Sequence, residues 1–123
     1  MNQQATAFNI TRHGANSRPA LPFLGSLRLD LARVHEFCGP ARRTLALMAA
    51  RNGAGPVLWI SPAWAGDTLN AQGVVPFIQP GRLIFVRPVR GEDIMWVMEE
   101  ALRSAALGLV VAELAEPDRK SVV

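Results

Sequence analysis

The sequence predicts an α/β fold in which a mainly parallel sheet of about four strands carries helices on both faces. The first observation is a set of short apolar runs bounded by Gly and Pro, which are typical of buried parallel strands, at Pro56–Ile60, Arg82–Val86 and Leu107–Leu114. The second is that helical segments separate these runs. Regular alternation of strands and helices indicates right-handed crossovers between parallel neighbours.

The N-terminal part of the chain lacks such periodicity. Residues 1–25 are polar, contain two prolines, and are predicted to form a flexible N-terminal arm before an α/β domain over 26–123. A first strand is expected at Ala32–Phe37. Because only nine residues follow Leu114, we expect a fold that is truncated at its C-terminus and has an unprotected sheet edge. Such an edge favours a partner or a homo-oligomer.

Three helices are predicted, near Ala41–Arg51, Asp67–Gln72 and Gly91–Ala106. The last has the clearest periodicity, with Glu92 and Asp93 in its first turn, where acids favour the helix dipole. Its apolar residues recur at the spacing of one helix face, and the set predicted to face the core is Ile94, Val97, Met98, Ala101, Leu102 and Ala105.

Composition narrows the class of protein. Of 123 residues, 50% are hydrophobic and 19% charged, which fits one globular domain. No apolar run approaches the roughly 18 to 20 residues that span a bilayer, and no signal-peptide pattern opens the chain, so we expect a cytoplasmic protein without membrane contact. The net charge of +3 comes from twelve arginines and one lysine. It makes DNA a candidate partner, although a general preference for arginine over lysine explains it equally well.

Cysteine and metal chemistry are not indicated. Cys38 is the single cysteine, so it has no internal disulfide partner, and we expect it to be a small buried residue at a strand end. No spacing typical of metal ligands is present, and no metal is expected.

The stretch "FCGPARRTLAL" reads as a strand end, a Gly-Pro turn and a helix start, the arrangement of a phosphate loop. A working loop needs G-x-x-x-x-G-K-[ST]. Counted from Gly39, the required Gly, Lys and Ser/Thr are replaced by Thr44, Leu45 and Ala46. Aligned through the helix, Arg43 takes the lysine place and Thr44 the hydroxyl place, but the loop is then about three residues, or roughly 10 Å of extended chain, too short.

The segments "ARVHEFCGPARRTLAL", "GPVLWISPAWAG" and "LIFVRPVRGEDIMWVMEEALRSAALGLVVAEL" resemble the core of the RecA recombinase ATPases over about residues 24–114. The likeness is closest to the ImuA family, whose RecA-like core has lost its nucleotide chemistry. This resemblance implies a RecA-like P-loop NTPase-type core without a cofactor, acting as a non-catalytic accessory in DNA repair, namely damage-induced (SOS) translesion synthesis. The implied partners are an ImuB-like Y-family polymerase homologue and an error-prone replicative-type polymerase.

Departures from the RecA pattern argue against an enzyme. The place of the family's catalytic glutamate is taken by Ala63, and the strand-end acid corresponds to Glu113. Because the loop lysine and second glycine are missing as well, we expect no ATP hydrolysis by this chain alone. Two alternatives stay open: a divergent RecA-type ATPase that uses Arg43, Thr44 and Glu113, and a SulA-like cell-division inhibitor.

The vestigial phosphate-loop position comprises Gly39, Pro40, Ala41, Arg42, Arg43 and Thr44, with Glu113 as the acidic position. The candidates for contact with a partner or DNA are Arg42, Arg43, Trp64, Arg87, Arg90 and Trp96. Arg42 and Arg43 open a helix, where cations oppose the dipole, so a binding role competes with a solvated first turn. Thr44 is either a helix cap or an inherited hydroxyl.

Aromatic residues and arginines elsewhere extend these predictions. Trp59 is expected in the core. Trp96 stands on a charged helix face, where it either anchors a partner or packs against the N-terminal arm. Arg82 is predicted to line one rim of the sheet with Arg42, Arg43, Arg87 and Arg90.

Overall fold

The computed structural model describes residues 18–114 and the backbone of 120–122. The chain divides into two compact units, and the boundary between them in the sequence lies between Arg33 and Val34. In the first unit, β1 (Ala20–Pro22) and β2 (Arg28–Asp30) pair antiparallel. Strand β1 lies inside the predicted arm, and residues 1–17 of that arm lie outside the described part.

The second unit contains a five-stranded sheet. Its strands are β3 (Glu36–Cys38), β4 (Val57–Ile60), β5 (Leu83–Val86), β6 (Leu109–Leu114) and β7 (Lys120–Val122), in the order β3-β7-β6-β4-β5. Strand β4 is central and pairs parallel with both β5 and β6, while β7 pairs antiparallel with β6 and β3. The α/β class with a parallel core is therefore confirmed, whereas the expected strand number was too low because β7 was missed.

Three α-helices accompany this sheet: α1 (Arg42–Arg51), α2 (Ala71–Val74) and α3 (Gly91–Leu102), with a 3₁₀ turn at Pro80–Arg82. Residues of α1 and α2 pack on one face of the sheet, around Val57, Trp59 and Val111. Residues of α3 pack on the other, around Leu58 and Ile60. Helices on both faces are thus confirmed, and β4 is buried along its whole length, as its uninterrupted apolar sequence predicts.

Several sequence predictions were wrong in detail. The strand expected at Ala32–Phe37 corresponds to β3, which begins at Glu36, four residues later than expected. Helix α2 begins at Ala71 because the Asn70 side chain caps it by accepting a hydrogen bond from Gln72 N at 2.7 Å. Helix α3 ends at Leu102, and Leu102 is exposed instead of facing the core. Ala105, beyond the helix, is also exposed.

Two further features bear on the candidate site. Cys38 is exposed, contrary to expectation: Phe37 packs against the cluster on the α1 face of the sheet, so Cys38 points to the opposite face of β3. Within the described residues, no helix has the length and apolar character needed to cross a bilayer.

Candidate functional site

The site is built at the carboxyl ends of β4, β5 and β6, beside the start of α1. Ligands of open α/β sheets bind outside this end of the strands. Glu113 stands one residue before the end of β6 and is only 5% exposed. Val111, two residues earlier on the same strand face, packs in the α1 cluster, so Glu113 faces α1 as well.

Both carboxylate oxygens of Glu113 are occupied. The buried indole of Trp59 donates from Nε1 to Oε2 at 2.7 Å. Arg43 donates from Nε to Oε1 at 2.8 Å, forming an ion pair. Trp59 belongs to the core, as predicted, but its polar N–H has a defined partner that an apolar assignment does not reveal.

Arg43 is the second residue of α1, and its side chain retains 21% of its exposure. Besides Glu113 it holds Asp67, through Nη1 to Oδ2 at 3.2 Å and through Nη2 to the backbone oxygen at 3.1 Å. Burial disfavours its charge, but the hydrogen bond and charge of Glu113, with those of Asp67, outweigh burial and raise the pKa of Arg43. The unfavourable position of this cation at a helix start is thus compensated by two carboxylates.

Ser61 directly follows β4 and continues its pairing, because Ser61 N donates to Val86 O at 2.9 Å. The parallel register pairs Ile60 with Ala112, so the next step places Ser61 beside Glu113. The Ser61 hydroxyl is buried and has no hydrogen-bond partner within residues 18–114. A buried hydroxyl without a partner is rare and costs stability.

Polar groups of the Gly39–Thr44 turn form hydrogen bonds within the turn. Gly39 has a φ of +96°, and its carbonyl oxygen accepts from Arg42 N at 3.2 Å and from Arg42 Nη1 at 3.1 Å. Helix α1 begins at Arg42, after Pro40. Its N-cap residue is Ala41, and no side chain makes a capping hydrogen bond there. Thr44 therefore lies inside the first helical turn, and the cap interpretation of Thr44 was wrong.

The loop that follows β4 is fixed by Arg87. Its Nη2 lies 3.3 Å from each of the carbonyl oxygens of Pro62, Ala63 and Ala65. Trp64, on the same loop, stays 52% exposed. Arg87 is therefore engaged by the protein's own backbone, and it presents Trp64 on a loop of defined shape.

The remaining arginines do not form one rim. Arg82 precedes β5 and binds Gly55 O at 2.8 Å and Ala50 O at 3.2 Å, at the opposite end of the strands. Arg90 is exposed and pairs with Glu92 and Asp93. The predicted rim is thus wrong for Arg82, and the arginines that do lie at the carboxyl end are largely engaged within the protein.

Trp96 lies on the solvent side of α3 and is 61% exposed. The structure does not bring it together with Arg43 and Glu113, which lie on the other face of the sheet. Sequence reasoning found Arg43 and Glu113 but missed Trp59, Ser61 and Asp67 as members of the site. The available signal was the position of Trp59 and Ser61 at the end of a strand expected to neighbour that of Glu113.

No protein-family model, curated protein or solved structure matches the chain. Among the described residues, no three His, Cys, Asp or Glu side chains are grouped so as to hold a metal ion. The chemical character of the site therefore rests on the Arg43–Glu113–Trp59 arrangement itself.

Proposed function

We propose that this chain is a non-catalytic accessory protein that works through protein contacts. The observation that carries the proposal is the 2.8 Å ion pair between Arg43 and Glu113. In the alignment with the RecA pattern, Arg43 corresponds to the loop lysine and Glu113 to the strand-end acid, and a phosphate site needs both of these charges free. Here each is the other's partner.

A nucleotide would have to break this arrangement to bind. Phosphate would compete with Glu113 and Asp67 for Arg43, and a metal ion would compete with Arg43 and the Trp59 indole for Glu113. Displacing Arg43 would leave Glu113 buried without its cation, which is strongly unfavourable. Ala63, at the place of the catalytic glutamate, supplies no group that activates water.

The process is proposed from the resemblance to the ImuA family. We take the five-stranded sheet to be a RecA-type core and the process to be SOS translesion DNA synthesis in the cytoplasm. The partners would be an ImuB-like polymerase homologue and an error-prone replicative-type polymerase, with DNA and a second copy of the chain as further candidates.

Mass photometry of the purified chain mixed with the ImuB-like protein of the same organism tests the proposal. We expect a complex at micromolar concentration in the absence of nucleotide. A complex that forms only with Mg²⁺ and ATP would favour the divergent ATPase. No complex with the ImuB-like protein, together with cell filamentation on overexpression, would favour the SulA-like inhibitor.

A further inference from the structure

Helix α3 carries an exposed apolar stripe that the sheet does not cover. Gly91, Met95, Met98 and Leu102 recur at i, i+4, i+7 and i+11, so they share one face of the helix over about 16 Å. Met95 is 63% exposed and Leu102 64%, while Met98 is partly buried against the core.

Trp64 extends this stripe at the start of the helix. A Cβ placed on Gly91 would lie 3.9 Å from Trp64 Cη2, so the indole sits against the first residue of α3. The loop that carries Trp64 is held by the three Arg87 hydrogen bonds. We call Trp64, Met95, Met98 and Leu102 the α3 stripe. Contiguous exposed apolar surface of this kind marks interaction sites, unlike single scattered residues.

Carboxylates border the α3 stripe. At 100° per residue, Glu99 lies about 40° and Glu92 about 60° around the helix from Met95, whereas Glu100 lies about 140° away. Glu92 and Glu99 are both largely exposed. The side of the stripe that faces solvent is therefore acidic.

In the described part of the second unit, the carboxylates of α3 outnumber the arginines that contact them. Arg90 contacts Glu92 and Asp93, and Arg103 contacts Glu99 and Glu100, so two arginines serve four carboxylates. Two negative charges remain on a helix of a chain whose net charge is +3. Because exposed ion pairs contribute little, a partner's cations can replace these arginines at low cost.

We propose that the α3 stripe binds an amphipathic helix of a partner protein, with apolar residues at i, i+4 and i+7 and Arg or Lys beside them. The apolar residues would pack on Trp64, Met95 and Leu102, and the cations would meet Glu92 and Glu99. A second copy of this chain fits less well, because it would bring two surfaces with the same negative excess together. The inference rests on the proposed function, to which it adds the chemistry of the partner contact.

Fluorescence anisotropy of two labelled helical peptides, titrated with the full chain, tests the inference. Both peptides carry leucine at i, i+4, i+7 and i+11; one has arginines beside the leucines and the other has glutamates. We expect micromolar binding of the arginine peptide, weaker at 300 mM than at 50 mM salt, and at least tenfold weaker binding of the glutamate peptide.

Variants assign the binding to the α3 stripe. The M95S/L102S pair is expected to weaken binding of the arginine peptide at least tenfold, whereas Val75→Ser, at an exposed apolar residue on another helix end, leaves it unchanged. Glu99→Gln should weaken binding about threefold or more, and Glu100→Gln should not. Glu100→Gln is a stringent control, because Glu100 lies 3.0 Å from Arg103, whereas Glu99 lies 4.0 Å from it. If Glu99→Gln weakened binding only by destabilising the helix, Glu100→Gln would weaken binding at least as much.

Equal binding of both peptides, or binding that M95S/L102S leaves unchanged, would overturn the inference. A concentration-dependent dimer that M95S/L102S abolishes, seen by light scattering, would also overturn it, since the stripe would then bind a second copy. Peptide binding without a complex with the ImuB-like protein would leave the inference standing and remove the proposed process, so the two failures are distinguishable.

Discussion

Replacing Arg43 with methionine removes the guanidinium while keeping a long side chain on α1. Glu113 then stays buried, with the Trp59 indole as its one remaining hydrogen-bond donor among the described residues. A hydrogen bond to a charged group contributes about 1.5–3 kcal/mol, and breaking a fully buried ion pair from one side costs about 3–5 kcal/mol. The Arg43 side chain keeps a fifth of its exposure, so solvent screening reduces the effect. We expect Arg43→Met to lower the free energy of unfolding by about 2–4 kcal/mol.

Urea unfolding at pH 7, followed by tryptophan fluorescence, measures this loss. Arg90→Met is the matched control, because its ion pairs are exposed and it should cost less than about 0.5 kcal/mol. In the R43M/E113Q double variant the glutamine oxygen still accepts from Trp59 and no buried charge is left, so at least about 1 kcal/mol should return. A loss below about 0.5 kcal/mol for Arg43→Met, or strictly additive losses in the double variant, would refute the reasoning.

The ion pair between Arg43 and Glu113 also predicts how the free energy of unfolding depends on pH. Because the pKa of Arg43 is raised in the folded protein, its contribution is complete below the pKa of the unfolded arginine and declines only as pH rises through the still higher folded value. The loss in free energy of unfolding caused by Arg43→Met should therefore be the same at pH 7 and pH 9. A deficit that shrinks between these values would show that a different group titrates with the pair.

Two further substitutions test the packing around β4. Gly108→Ala should lower the free energy of unfolding by about 1–3 kcal/mol, since the new Cβ would collide with the Ala54 carbonyl oxygen, whereas Gly81→Ala, with open space around it, serves as a neutral control in the same urea assay. Ser61→Ala removes a buried hydroxyl that has no partner among the described residues, so thermal unfolding should show stability unchanged or raised by up to about 1 kcal/mol; a clear loss would reveal a partner for this hydroxyl.

The parallel core could be predicted because its strands carry their own signal. The run from Val57 to Ile60 is apolar on both faces, as only a strand covered on both sides can be. Strand β7 could not be predicted, because Lys120–Val122 has no apolar pattern, and its place depends on pairing with β6 and β3. Leu102 was wrongly assigned to the core because helical periodicity predicts which residues share the apolar face of a helix, but not how much of that face the sheet covers.

The site was predictable in part for a similar reason. The strand-turn-helix and the acid near the end of β6 identified Arg43 and Glu113 from local sequence. Their ion pair joins residues 70 positions apart, and the register that places Ser61 beside Glu113 follows from the parallel pairing of β4 with β6. Such long-range pairing is set by packing of the whole sheet and leaves no local pattern.

Isothermal titration of the chain with Mg²⁺ and ATP tests most directly whether the ion pair between Arg43 and Glu113 prevents a nucleotide from binding at the carboxyl ends of the strands. We predict no saturable binding up to millimolar ATP, because the cation and the carboxylate already neutralise each other at 2.8 Å. Saturable binding by the natural chain that disappears in Arg43→Ala would contradict the account.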